Sequence, residues 1–252
     1  MVLTEMGAVF STLSIRTALS DVFTKFLDMP YYSNAHVKSG SLHTHAKHED
    51  ALKEVMTNAG YSVWKPKVSL KKADERLASF AKDMPRGSFI EQPFSSQQTP
   101  DFFVKTWTGK VVPVEAKSSK TSYSPTYNSG GVKAGYFYVF CCQLTDETTI
   151  FKGSSIISES QQKLLDEYIK EEKTRVKVLN EKLKECDSSV RGISYYARPM
   201  ICQSGGAKFT NYFAHESRKE VEASAISALK DIESGKNQKR YVVVDDCDCE
   251  ES

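Results

Sequence analysis

Asp101, Glu115 and Lys117 are the residues of this 252-residue chain whose types and spacing best suit chemistry. Glu115 and Lys117 are two apart, so on an extended strand they point to the same face. Ala116 between them points away, yet its backbone carbonyl stays available. Asp101 directly follows Pro100. A turn at Thr108-Gly109 folds the segment back and brings Asp101 opposite residues 115–117. Two carboxylates and a carbonyl make a hard, all-oxygen site suited to Mg²⁺, with Mn²⁺ as a substitute. Such an ion polarises a phosphoryl oxygen and lowers the pKa of a bound water. A lysine beside it can orient that water and offset charge developing on the phosphate. The set suits hydrolysis of a phosphodiester. A bare acid-x-lysine triplet is in most chains simply an exposed ion pair on a strand. The preceding proline, the apolar flanks and the hairpin spacing favour the chemical reading.

The elements that must position this trio are legible around it. Phe102 to Trp107 and Val111 to Val114 are rich in aromatic and β-branched residues, with Thr108-Gly109-Lys110 between them, which is a hairpin signal. Pro113 lacks a ladder donor, so its strand needs an edge or bulge on one side there. Tyr136 to Leu144 is a near-continuous apolar run, as in a strand buried on both faces. A helical pattern runs over residues 8–29 and closes at Pro30. Others cover 45–59 (stopped by Gly60), 70–83, 158–186 and 216–233 (stopped by Gly235). Short strands are expected at Tyr61 to Trp64 and Tyr241 to Val244. The mixed order argues for α/β or α+β with one central sheet.

Composition sets the outer bounds. Hydrophobic residues make up 40% and charged residues 26%, ordinary for a globular chain that needs no disulfide or zinc staple. No apolar run is long enough for a membrane span, and the first residues carry no secretory signal. Six cysteines without a CxxC pair speak against a zinc ribbon, and Cys141-Cys142 read as buried free thiols in a reducing interior. The expected location is intracellular and cytoplasmic. Net charge is +2, but Asp245 to Ser252 holds five acids and no base, so the remainder carries +7 and can approach a polyanion. We read one nuclease domain over 1–252: a catalytic core at about 45–145, C-terminal helices and a last strand at 158–245, and an acidic tail at 245–252.

Pro100-Asp101 … Glu115-Ala116-Lys117 resembles the PD-(D/E)xK nuclease motif with a short intervening hairpin. The resemblance covers about residues 45–145 and is nearest to type II restriction endonucleases. It implies a restriction-endonuclease-like α/β core, a central mixed β-sheet flanked by helices. It implies Asp101, Glu115 and Lys117 as catalytic residues, with Asp101, Glu115 and the Ala116 carbonyl on Mg²⁺. The helix preceding the motif often supplies a further acid in that family, and Glu49 is the matching position. The resemblance further implies double-stranded DNA as substrate, cut at a short specific site by a homodimer.

Two polar, glycine-containing loops could meet that DNA. The first offers Ser119, Lys120, Asn128, Ser129, Gly130 and Lys133. The second offers Gln203 and Lys208, with Arg198 at its flank. Asn and Gln can pair with adenine edges and Lys with phosphates or guanine, although both loops also read as ordinary turns. His43, His45 and His48 form an HxHxxH run that solvated side chains at a helix start explain as well as zinc does. The helix over 158–186 is expected to pack on the sheet, with a coiled-coil dimer arm as the other reading. Two rival functions stand beside restriction. One is a structure-selective repair or junction nuclease of the same fold, and the other a non-catalytic DNA-binding module.

Overall fold

The computed structural model describes residues 15–31, 46–66, 73–94, 98–128, 131–186, 192–203 and 210–236. The strand expected at Tyr241 to Val244, the acidic tail, His43 and His45, and Ser129, Gly130 and Lys208 lie outside the described residues.

The protein is α/β, with a six-stranded mixed sheet packed against helices. In chain order the helices are α1 (Leu19–Leu27), α2 (Ala46–Asn58), α3 (Ala73–Lys82), α4 (Glu159–Cys186) and α5 (Arg218–Ser234). The strands are β1 (Ser62–Val63), β2 (Ser88–Glu91), β3 (Phe102–Lys105), β4 (Val111–Ser119), β5 (Tyr127–Asn128), β6 (Phe137–Cys142), β7 (Glu147–Lys152) and β8 (Met200–Ile201). The main sheet has the order β1-β2-β3-β4-β6-β7, and β5 pairs with β8 in a separate ribbon. β2, β3 and β4 form an antiparallel meander, β1 runs parallel to β2, β6 parallel to β4, and β7 antiparallel to β6.

Side-chain alternation along β6 divides the interior. Phe137 and Val139 join a core built with Leu19, Val22, Phe23 and Phe26 of α1, Leu52 and Met56 of α2, and Ala225, Leu229 and Ile232 of α5. Tyr138, Phe140 and Cys142 point the other way, into a second cluster with Tyr127, Val132, Tyr136 and Phe151. All six β6 residues are buried, as a strand covered on both faces requires. Each large apolar side chain so enclosed contributes roughly 1.5–3 kcal/mol. The start of α1 is held by α5, because Glu233 accepts the backbone N–H of Leu19 and the Ser20 hydroxyl, the latter at 3.0 Å. A carboxylate is favourable at that helix end.

The hairpin turns where Thr108-Gly109 predicts. The Gly109 N–H donates to the Thr106 carbonyl at 2.9 Å, with Gly109 at φ +91°. Pro113 pairs with Phe103 on one side, and the pairing of β4 with β6 begins only at Val114. The missing proline donor therefore falls where β4 is still an edge.

Several boundaries differ from expectation. Residues 15–18 are not helical, and helix α1 starts only at Leu19, with Ala18 in the β region. β2 and β7 were not anticipated. β2 is the four-residue run Ser88–Glu91 just after a Pro-Arg-Gly turn, and β7 carries two threonines rather than a clear alternation. Helix α4 does not lie flat on the sheet. Among its residues Ile169 is buried, and most of its surface is exposed. The connection from β4 to its parallel neighbour β6 is a loop carrying β5, where parallel strands more often use a helix. No helix among the described residues is long and apolar enough to cross a membrane.

Candidate active site

The register of the hairpin sets the site. Phe102 lies opposite Val114, so Asp101 falls next to Glu115 at the point where β3 begins. The Asp101 N–H donates to Glu115 Oε2 at 3.1 Å, and Asp101 Oδ2 accepts the Ala116 N–H at 2.8 Å. Lys117 Nζ donates to Glu115 Oε1 at 2.6 Å. The expected trio therefore converges. Glu115 is almost fully enclosed and Lys117 partly so, which is not the geometry of a solvent-exposed ion pair.

The pairing of β3 with β4 ends at Phe102 and Val114, and the Thr99-Pro100 peptide just beyond Asp101 is cis. The Ala116 N–H faces Asp101, and a strand residue turns its N–H and C=O to the same side, so the Ala116 carbonyl faces the same end of β3.

Burial dominates the electrostatics of these carboxylates. Burial raises the pKa of Asp101, opposed by the Lys117 charge and by the bond from the Ala116 N–H. Burial likewise raises Glu115, with Lys117 opposing and Asp101 reinforcing. Glu49 on α2 is pushed up to about 7 by burial, then by the charges of Asp101 and Glu91. Two or three carboxylates that resist ionisation in one place are short of positive charge.

The donor types, two carboxylates and a backbone carbonyl, are those that a hard divalent cation takes. Mg²⁺ commonly keeps several waters and takes one or two protein carboxylates. Among the described residues no group of three or more His, Cys, Asp and Glu side chains forms a ready-made metal cage. Glu49 therefore stands as a neighbour of the pair, electrostatically coupled to Asp101, and not as an assembled third ligand.

Three contributors escaped the sequence reading. Glu91 ends β2 beside the site and pairs with Lys53 of α2 at 3.1 Å. Gln92 follows it in the left-handed region at φ +45°, donates its N–H to the Asp101 carbonyl at 2.7 Å, and hydrogen-bonds Glu49 through its side chain. Tyr138 stands opposite Glu115 across the β4–β6 pair, and burial, then the Glu115 charge, raises the pKa of its hydroxyl. The positive φ of a non-glycine residue beside an acid has no sequence signature, and Glu91 lies in a strand that composition did not mark.

His48 differs from its expectation. It is buried rather than solvated, with Nε2 3.4 Å from the Val139 carbonyl. Burial holds its imidazole down at about 4, so it is neutral and packs the start of α2 against β6.

Of the residues proposed to meet DNA, Lys120 is exposed at the end of β4, and Ser119 Oγ accepts the Ser122 N–H at 2.9 Å. Asn128 pairs with Met200 in the β5–β8 ribbon. Lys133 is committed within the chain, pairing with Asp166 of α4 at 2.7 Å. The Gln203 side chain accepts the Tyr212 hydroxyl. These two side chains tie the loops to the body. Their sequence context, turn-like and polar, looked the same as that of free contact residues.

No protein-family model, curated protein or solved structure matches this chain.

Proposed function

We propose that the protein is a Mg²⁺-dependent endonuclease with a restriction-endonuclease-like core, cutting double-stranded DNA at a short specific site as a homodimer. The observation that carries the reading is the enclosed Asp101–Glu115–Lys117 constellation, in which two carboxylates of raised pKa meet beside a lysine. Asp101, Glu115 and the Ala116 carbonyl would hold the ion, and Lys117 would orient a water. Mg²⁺, when bound, supplies Lewis acidity toward the phosphoryl group and acidifies water. Asp101 and Glu115 contribute two negative charges that the ion neutralises. Lys117 supplies a fixed positive charge next to the place where charge develops on the phosphate. Glu49, steadied by Gln92, adds negative charge at the rim. Lys120 and Ser119 stand where the strand carrying Lys117 leaves the sheet, a suitable place to track a backbone.

The test is incubation with a fully sequenced DNA plus Mg²⁺ or Mn²⁺, followed by end-mapping. Discrete fragments support the site-specific reading. Cleavage confined to branched DNA would instead make the protein a structure-selective enzyme of the same chemistry. Intact DNA under all conditions would remove the catalytic reading and leave a DNA-binding module.

A further inference from the structure

Helix α4 carries two seams. One, through Leu165, Ile169, Glu172, Val176 and Leu183, turns toward the body and is partly to fully buried. The other runs through Leu164, Tyr168, Glu171, Arg175, Val178 and Lys182. All six of its residues are exposed. Its spacings alternate four, three, four, three, four, the heptad pattern of a helix that packs lengthwise on another helix. Leu164, Tyr168 and Val178 are 68%, 57% and 44% exposed, so this seam is apolar at three of its positions, and Tyr195 borders it beside Tyr168 and Arg175.

The order of residues on the open seam is self-complementary when read backwards. In an antiparallel pair of α4 helices centred on Lys173, Tyr168 of one copy meets Val178 of the other. Glu171 meets Arg175, and Leu164 meets the aliphatic stem of Lys182. The same matches recur on the far side of the two-fold axis, as an isologous contact demands. A parallel pair would instead set Glu171 on Glu171 and Arg175 on Arg175. Within one chain Glu171 and Arg175 stand 3.8 Å apart with both side chains well exposed, so each is available to a facing partner. The chain also braces the distal half of the helix: Asn180 exchanges hydrogen bonds with the backbone of Tyr195 at 2.7 and 3.0 Å. Exposed Ile193, Tyr195 and Tyr196 widen the apolar area beside α4.

We propose that the open seam of α4 is the docking face for a second copy of this chain, joined antiparallel about a two-fold axis near Lys173. The helix is about 42 Å long at 1.5 Å per residue. A single helix-to-helix contact falls at the small end of specific interfaces, so the dimer is reversible and concentration-dependent. The proposal gives a face to the homodimer named above. It is tested without DNA or metal, so its failure and the failure of the nuclease reading are separate results.

The experiment is sedimentation equilibrium of the full chain over a wide concentration range. Wild type should move from 28.2 kDa toward twice that mass. Arg175→Glu puts like charges together at the centre of the seam and should weaken association at least about tenfold. Glu171→Arg should do the same, and the double exchange should restore association. Val178→Lys should weaken it independently. Circular dichroism of each variant checks that the helix is intact. A protein that stays at monomer mass at every concentration overturns the proposal. So does a dimer that ignores both single charge changes, or a double exchange that fails to recover.

Discussion

The backbone N–H of Asp101 donates to the Glu115 carboxylate at 3.1 Å, so the two acids of the site are joined through main chain rather than competing for one proton donor. Removing either carboxylate should remove metal binding while keeping the hairpin. Asp101→Asn and Glu115→Gln should each lower Mg²⁺-dependent cleavage by at least about 10²–10³-fold. Calorimetric titration should show weakened Mg²⁺ binding, with an unchanged circular dichroism spectrum. Wild-type cleavage by either variant would exclude the assignment.

Lys117 should separate from the acids in such assays. Lys117→Gln should keep Mg²⁺ binding and still lose cleavage by about 10²-fold or more. Lys117→Ala also leaves Glu115 enclosed without its partner at 2.6 Å. Breaking a buried pair costs about 3–5 kcal/mol, less here because Lys117 is partly exposed. The loss should be smaller at pH 5 than at pH 8, since Glu115 can then take a proton. Denaturant unfolding at the two pH values measures it, and an equal loss at both would argue against an unpaired carboxylate.

Metal-free stability should fall as pH rises across the site's titration. Glu49, Asp101 and Glu115 all have folded-state values raised above their ordinary ones, Glu49 to about 7. Raised groups contribute stability that is fully present below their unfolded values, 3.8 for Asp101 and 4.5 for the two glutamates, and lost as pH climbs through the folded values. Added Mg²⁺ reverses the repulsion. The rise in Tm on adding Mg²⁺ should therefore be larger at pH 8 than at pH 5.5. An equal rise at both pH values would show that the ion does not sit on these carboxylates.

His48 works in the opposite direction. Its folded value is depressed to about 4, so its contribution is complete above the unfolded value of 6.5 and lost as pH falls through 4. The span corresponds to about 3 kcal/mol at most. His48→Gln should flatten the decline in urea midpoint between pH 7 and pH 4.5. An unchanged decline would mean that other groups cause the acid lability.

Gln92 should trade stability for activity. A non-glycine residue at φ +45° costs roughly 1–2 kcal/mol. Gln92→Gly relieves that cost and raises Tm, but it also removes the hydrogen bond to Glu49. Cleavage should drop several-fold while the protein becomes harder to unfold. A variant that gained stability and kept full activity would show that the Gln92 side chain does not serve the site.

The hairpin and its trio were legible because three local signals agree: the turn at Thr108-Gly109, the apolar strands, and the position of Pro113. Reflection about the turn placed Asp101 beside Glu115 without any long-range information. The doubly buried β6 and the stops at Gly60 and Gly235 were legible for the same reason, since each rests on nearby residues. What escaped notice depends on contacts made far along the chain. Glu91 and Gln92 join the site because β2 pairs with β3, and a four-residue strand has too few alternations to declare itself. His48 looked like a solvated helix-start residue, and its burial comes from Val139, 91 positions later. Lys133 and Gln203 looked free because their partners Asp166 and Tyr212 lie on other elements.

The alternation of β6 between two clusters gives the molecule a division of labour. Phe137 and Val139 belong to the core beneath the chemistry, whereas Tyr138 and Phe140 belong to the side that carries the polar loop, the ribbon and the long helix. Tyr138 stands opposite Glu115 and Phe140 opposite Lys117, so this second side is also the one that the two strand residues of the site face. The strand thus acts as a partition: a change of bulk at Phe137 or Val139 is felt by the helices of one core, and a change at Tyr138 or Phe140 is felt beside Glu115 and Lys117.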